Sequence, residues 1–199
     1  MNPACDFTSD PHRGCIGVDA MHDAAIEWLA GLFPVLPARR SRLTVMFTDI
    51  VGFTRSTAAR GDGAAVRLLH RHDRVTLPAI RAHRGRLVKR LGDGLMVAFA
   101  LPADALAAAL AMQDGLRPRA GFRLRIGIHA GSARTRAGDL IGHDVNVASR
   151  IADRAGGGEI VVSDRVRAGA AHLPVHFRKL SPLVIADRAA IALFRVAGR

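Results

Sequence analysis

Residues 43–54 read LTVMFTDIVGFT. Leu43 to Ile50 is apolar and β-branched, the composition of a buried strand. Near its end stands a carboxylate, Asp49, and the chain then turns through Gly52 into Phe53 and Thr54. A turn that opens a helix leaves backbone N–H groups free, and anions bind there. Two readings of Asp49 stand side by side. It can cap the following helix by accepting a backbone N–H. It can also hold a metal ion beside a phosphate cradled by the turn, with Gly52 allowing close approach of the backbone.

Outward from this strand the pattern alternates. Asp62 to about His83 has helical spacing, bent at Pro78. RLVKRLG and DGLMVAFA read as two strands joined by a tight Gly-Asp-Gly turn. Pro102 to Leu116 is an Ala-rich helix with Pro in its first turn. FRLRIGIHAG is a strand, and Gly142 to Ala155 is a helix that ends in Gly156-Gly157-Gly158. EIVVS is a further strand, Asp164 to Ala170 a short helix, and HFRKL with IALFRV a closing pair of strands. This order predicts an α+β fold: a ferredoxin-like βαββαβ core with extra C-terminal α/β elements, and helices on one face of an antiparallel or mixed sheet.

Residues 42–199 form the expected main domain, and residues 1–41 an N-terminal extension. In the extension Met21, Ala25, Trp28 and Leu32 recur at helical spacing, and Pro34 and Pro37 break the chain into a linker. Cys5, His12, Cys15 and His22 fit no strong zinc-ligand spacing.

The 199 residues carry a formal net charge of +12. Such a charge raises nucleic-acid binding, yet the basic residues are scattered and the chain has no Tyr, so stacking platforms are scarce. Nucleic-acid binding is therefore not expected. No apolar run approaches the length of a membrane span, and the N-terminus lacks a signal-peptide pattern. A cytoplasmic protein is the expectation.

Four further residues could do chemistry. Asp93, in the hairpin turn, is either a common Asp-Gly turn residue or, if the hairpin lies beside the first strand, a partner to Asp49 in a two-metal site. Lys89 stands out because the only other lysine is Lys179. A lysine offers a compact charge where a single donor must meet a single acceptor, or it is an ordinary exposed strand residue. Asn146 and Arg150 are one helical turn apart and share a face. They suit a sugar and a phosphoryl group, or they are a plain polar helix face.

Taken together, FTDIVGFT, VKRLGDGLMVAF, RIGIHAG and DLIGHDVNVASR followed by GGGEIVVSD resemble the class III nucleotidyl cyclase catalytic domain, the adenylate and guanylate cyclase homology domain. The resemblance implies that Asp49 and Asp93, with the Ile50 carbonyl, hold two Mg²⁺ or Mn²⁺ ions. The turn of Gly52, Phe53 and Thr54 would cradle the triphosphate. Lys89 and Asp139 would select the purine, and Asn146 and Arg150 would stabilise the transition state. A lysine donor and an aspartate acceptor match adenine and mismatch guanine, so ATP is the implied substrate and cyclic AMP the product. The resemblance also implies a homodimer with shared active sites. The family's triphosphate lysine is absent: Ile185 falls at or near its place, with Arg188, Arg134 or Arg136 as candidate substitutes. Diguanylate cyclases share the core, but their Gly-Gly-acidic-acidic signature is absent from the hairpin.

Overall fold

The computed structural model describes residues 40–116, 121–185 and 189–197. The expected helix between Val18 and Phe33, and the Cys5, His12, Cys15 and His22 group, lie outside them. In chain order the elements are β1 (Arg40–Ile50), α1 (Phe53–Arg60), α2 (Asp62–Ala82), β2 (Arg86–Leu91), β3 (Gly94–Phe99), α3 (Pro102–Gly115) and β4 (Leu124–Arg136). They continue with β5 (Asp139–Ile141), α4 (His143–Ala152), β6 (Ile160–Ser163), α5 (Asp164–Gly169), β7 (His176–Leu183) and β8 (Ile191–Ala197).

The strands form one sheet in the order β2-β3-β1-β4-β6-β8-β7, with β5 paired to β4. The first four strands are antiparallel neighbours, the arrangement expected of a βαββαβ core. β6 then joins β4 in parallel, which makes the sheet mixed. β1 sits inside this core because both its faces are apolar. Met46 and Ile50 enter one buried cluster. Val45, with Phe47 packed against it, belongs to another.

Helices cover both faces, not one. α2, α3 and α5 contribute Leu68, Ile80, Leu106, Met112 and Val166 to the first cluster. α4 contributes Val145, Val147, Ala148 and Ile151 to clusters on the other side. The physical reason is the width of its apolar stripe. Five of its ten residues are buried, and such a stripe must find a sheet face of its own.

A second difference concerns residues 132–139, which lie beyond the end of the expected strand FRLRIGIHAG. β4 continues to Arg136 because β1 begins at Arg40 and pairs Arg40–Leu43 with Gly131–Arg134. The chain reverses at Ala137 (φ 47) and Gly138 (φ 82), the positive-φ pair of a tight hairpin turn. Asp139 then faces Arg136 across β5.

α4 approaches β4 closely at Gly127. A Cβ there would lie 2.1 Å from the Ala152 backbone nitrogen, and backbone cannot move aside as a side chain tip can. Gly127→Ala is expected to destabilise the domain by about 2 kcal/mol or more through overpacking. A thermal melt checks this, with an expected fall in Tm of at least about 4 °C.

Candidate active site

Asp49 sits on the α4 face of the sheet, two residues beyond Phe47 on β1. It does not cap α1: the start of that helix has no side-chain cap. Its carboxylate instead meets Arg125, whose Nε donates to Oδ2 at 2.7 Å. The two residues are directly opposed on β1 and β4. Gly52, at φ 75 and ψ 19, takes the left-handed conformation that glycine adopts without strain. Phe53 and Thr54 are the first residues of α1, so the N–H groups of this first turn lie just past the Asp49 strand end.

Asp93 occupies the two-residue turn between β2 and β3. The register Thr48↔Leu95 brings that turn to the same end of β1 as Asp49. Burial, and then the Asp49 charge, push the Asp93 carboxyl above the usual Asp range, while backbone N–H groups including that of Ile50 oppose the rise. Two carboxylates thus crowd together at the end of β1, and added positive charge there would relieve both.

These groups suit a hard divalent cation. Among the described residues no three acidic, His or Cys side chains converge. A cation here would therefore use two carboxylates and take its other ligands from backbone oxygen, water and substrate. That is the mode Mg²⁺ favours.

The hairpin bearing Asp93 is tied down by a pair that sequence reading missed. Arg90 holds Asp73 of α2 through two parallel bonds, of 2.8 and 2.9 Å. Burial pushes the Asp73 carboxyl up, but the Arg90 fork and the His72 contact outweigh it, and the net shift is downward. A depressed carboxylate stabilises the fold above its unfolded pKa of about 4. That contribution fades as pH falls through the lowered folded value. Arg90→Met is expected to cost about 0.5–1 kcal/mol at neutral pH. It should also shift acid unfolding to higher pH, which a pH titration followed by circular dichroism measures.

Lys89 and Asp139 are 50 residues apart and meet. Lys89 Nζ donates to Asp139 Oδ2 at 2.6 Å, and the Leu140 N–H donates to the other oxygen at 2.7 Å. The Lys89 bond, then the Leu140 N–H, hold the Asp139 carboxyl below the usual range. The same sheet face carries both Lys89 and Asp49: Lys89 opposes Met96, and Met96 opposes Phe47.

Asn146 and Arg150 are exposed on α4 one turn apart, above buried Val147 and Ile151. The N-terminal end of α4 is pinned by Asp144, which accepts the Ser132 N–H at 2.6 Å. Among the described residues no hydrogen bond or ion pair links Asn146 and Arg150 to the carboxylates or to the Lys89–Asp139 pair.

Of the candidate substitutes for the triphosphate lysine, Arg188 lies outside the described residues. Ile185 is half-buried and packs against the α4-side core. Arg134 opposes Arg40, at the opposite end of β1 from Asp49, and Arg136 is exposed in the β4–β5 hairpin. The cation that does reach the carboxylates is Arg125. Its signal was present in LRIGI: alternation puts Arg125 on the face opposite Leu124 and Ile126. A cleft of about 1230 Å³ opens near the start of β1, lined by Ser41, Arg42, Arg134 and Arg165 among others. Of the candidate residues Arg134 lines it, while Asp49, Asp93, Lys89, Asp139, Asn146 and Arg150 do not.

A model described as the adenylate and guanylate cyclase catalytic domain matches residues 35–192. The chain is 35% identical over 144 residues to a pH-sensitive adenylate cyclase of Mycobacterium tuberculosis, covering 70% of this chain and 35% of that protein. It is 33% identical over 131 residues to the serine/threonine-protein kinase pkn2 of Myxococcus xanthus, covering 62% of this chain and 16% of the kinase. The chain thus spans about a third or less of these relatives. Among solved structures, an adenylate/guanylate cyclase/hydrolase from Silicibacter pomeroyi superposes with a TM-score of 0.72 at 26% identity, over 81% of this chain and 99% of the other.

Proposed function

Because the chain belongs to the class III adenylate and guanylate cyclase family, we propose that it converts ATP to 3′,5′-cyclic AMP and pyrophosphate, as a homodimer with shared active sites. The observation that carries the choice of adenine is the Lys89–Asp139 pair at 2.6 Å. It presents one donor beside one acceptor. Adenine N1 accepts and its exocyclic amine donates, so both groups are matched. Guanine offers the reverse, and leaves both unpaired.

Asp49 and Asp93, with the Ile50 carbonyl, would hold two Mg²⁺ or Mn²⁺ ions. Bound there, the metal supplies Lewis-acid activation of the ribose 3′-OH and neutralises phosphate charge. The chain's own groups do the rest. The free N–H groups after Gly52, at Phe53 and Thr54, receive phosphate oxygens. Asn146 orients the ribose by donating and accepting. Arg150 meets the charge that builds on the α-phosphoryl oxygens as the 3′-OH attacks and pyrophosphate leaves.

What one chain lacks supports the dimer. The carboxylates lie half-buried at a strand end, and their neighbours Val51 and Leu91 are exposed apolar side chains. Asn146 and Arg150 are exposed, and among the described residues their side chains meet no carboxylate. A second chain laid head-to-tail would bring its Lys89, Asp139, Asn146 and Arg150 over these carboxylates and build two equal sites.

Incubation with ATP or GTP and Mg²⁺ or Mn²⁺, scoring cyclic nucleotide and pyrophosphate, tests the proposal. Cyclic AMP from ATP is expected. Equal use of GTP would refute the purine argument, and no product with either metal would refute the activity. Among the described residues no helix is long and apolar enough to cross a membrane.

A further inference from the structure

In the chain by itself, the positive charge beside Asp49 comes from a side chain. β1 and β4 set Asp49 and Arg125 opposite each other, and Arg125 Nε donates to Asp49 Oδ2 at 2.7 Å. The side chains are 31% and 36% exposed, so solvent and small ions reach the pair. We propose that Arg125 is a resident counter-ion of Asp49 which an incoming divalent cation must displace, so that this ion pair sets the metal affinity of the site. The inference rests on the assignment of Asp49 and Asp93 as metal ligands.

Charge and geometry argue it together. Asp49, Asp93 and Arg125 sum to one net negative charge, and a divalent cation turns that into one net positive charge. Without Arg125 the two carboxylates and the cation would sum to zero, which is the better electrostatic outcome. The Oδ2 lone pair that Arg125 occupies would be closed to a metal while the bond lasts, and a charge-assisted bond of this length is among the stronger hydrogen bonds. The strand pairing keeps the competitor in place. Asp49 and Arg125 lie within an uninterrupted run of paired residues from Arg40 to Ile50, so the backbone holds the arginine opposite the aspartate and a displaced guanidinium stays close by.

Occupation by Arg125 also has a use in the free chain. It offsets one of the two crowded carboxylate charges at low metal concentration, which favours a formed β1 end before metal arrives. The outcome is a site that is pre-shaped but binds metal less tightly than two bare carboxylates would.

Mn²⁺ titration of the full chain without nucleotide, following free Mn²⁺ by electron paramagnetic resonance, tests the inference. Arg125→Gln is expected to bind Mn²⁺ at least about threefold more tightly than the wild type. Arg125→Lys, which keeps the charge but not the fixed fork, is expected to lie between them. Circular dichroism checks that each variant is folded. Unchanged or weaker binding by folded Arg125→Gln overturns the inference. Asp93→Asn separates the two levels of the argument. If it abolishes binding while Arg125→Gln changes nothing, the metal assignment stands and the counter-ion role falls. If it binds as the wild type does, the assignment fails and takes the inference with it.

Discussion

Mixed in equal amounts and allowed to re-pair, chains carrying Asp49→Ala and chains carrying Arg150→Ala are expected to recover about one quarter of wild-type activity. Each variant alone should be inactive. Asp49→Ala removes one of the two carboxylates proposed to hold the metals. Arg150→Ala removes the proposed transition-state donor, a loss of about 10²–10³ in turnover for groups of this kind. The quarter follows from symmetry. Random pairing makes about half of all dimers mixed, and in a mixed dimer one site carries both lesions while the other carries neither. Two affinity tags isolate the mixed dimer, whose cyclic AMP output per dimer is expected to be about half that of the wild type. An inactive, verified mixed dimer would show that Asp49 and Arg150 act within one chain.

The second large effect concerns the purine. Lys89→Glu by itself is expected to lose activity with both nucleotides. The reason is the 2.6 Å contact with Asp139: the substitution sets two carboxylates side by side, and like charges at that distance repel strongly. Lys89→Glu with Asp139→Asn removes the repulsion and reverses the pattern. Glu accepts from guanine N1–H, and the Asn amide donates to O6. The double variant is expected to prefer GTP over ATP, with kcat/KM for ATP reduced by about 10³. Steady-state kinetics with each nucleotide reads this directly. Retained ATP preference in the double variant would mean that the pair does not contact the base.

Local pattern was enough for much of this. Alternation and composition marked the strands holding Asp49 and Lys89, because both lie in short runs bounded by glycine turns. The α4 stripe of Val147 and Ile151 placed Asn146 and Arg150 on the exposed face, since 3.6-residue periodicity is a property of the helix alone. The β4 extension was not legible. Gly131 to Arg136 is mostly polar and exposed, and it is a strand because Arg40–Leu43 lies beside it. Nor did periodicity say which sheet face α4 would cover.

The site divides the same way. Residue type and order along the chain determined which groups could bind metal, purine and phosphate, because those chemistries depend on the side chains present. Tertiary structure decided their partners. Asp49 is held by Arg125, 76 residues away, and Lys89 by Asp139, 50 residues away. Sequence distance carries no information about such pairs. They form where sheet register brings strand ends together, and the register is set by burial of both faces of β1 rather than by the charged residues it juxtaposes.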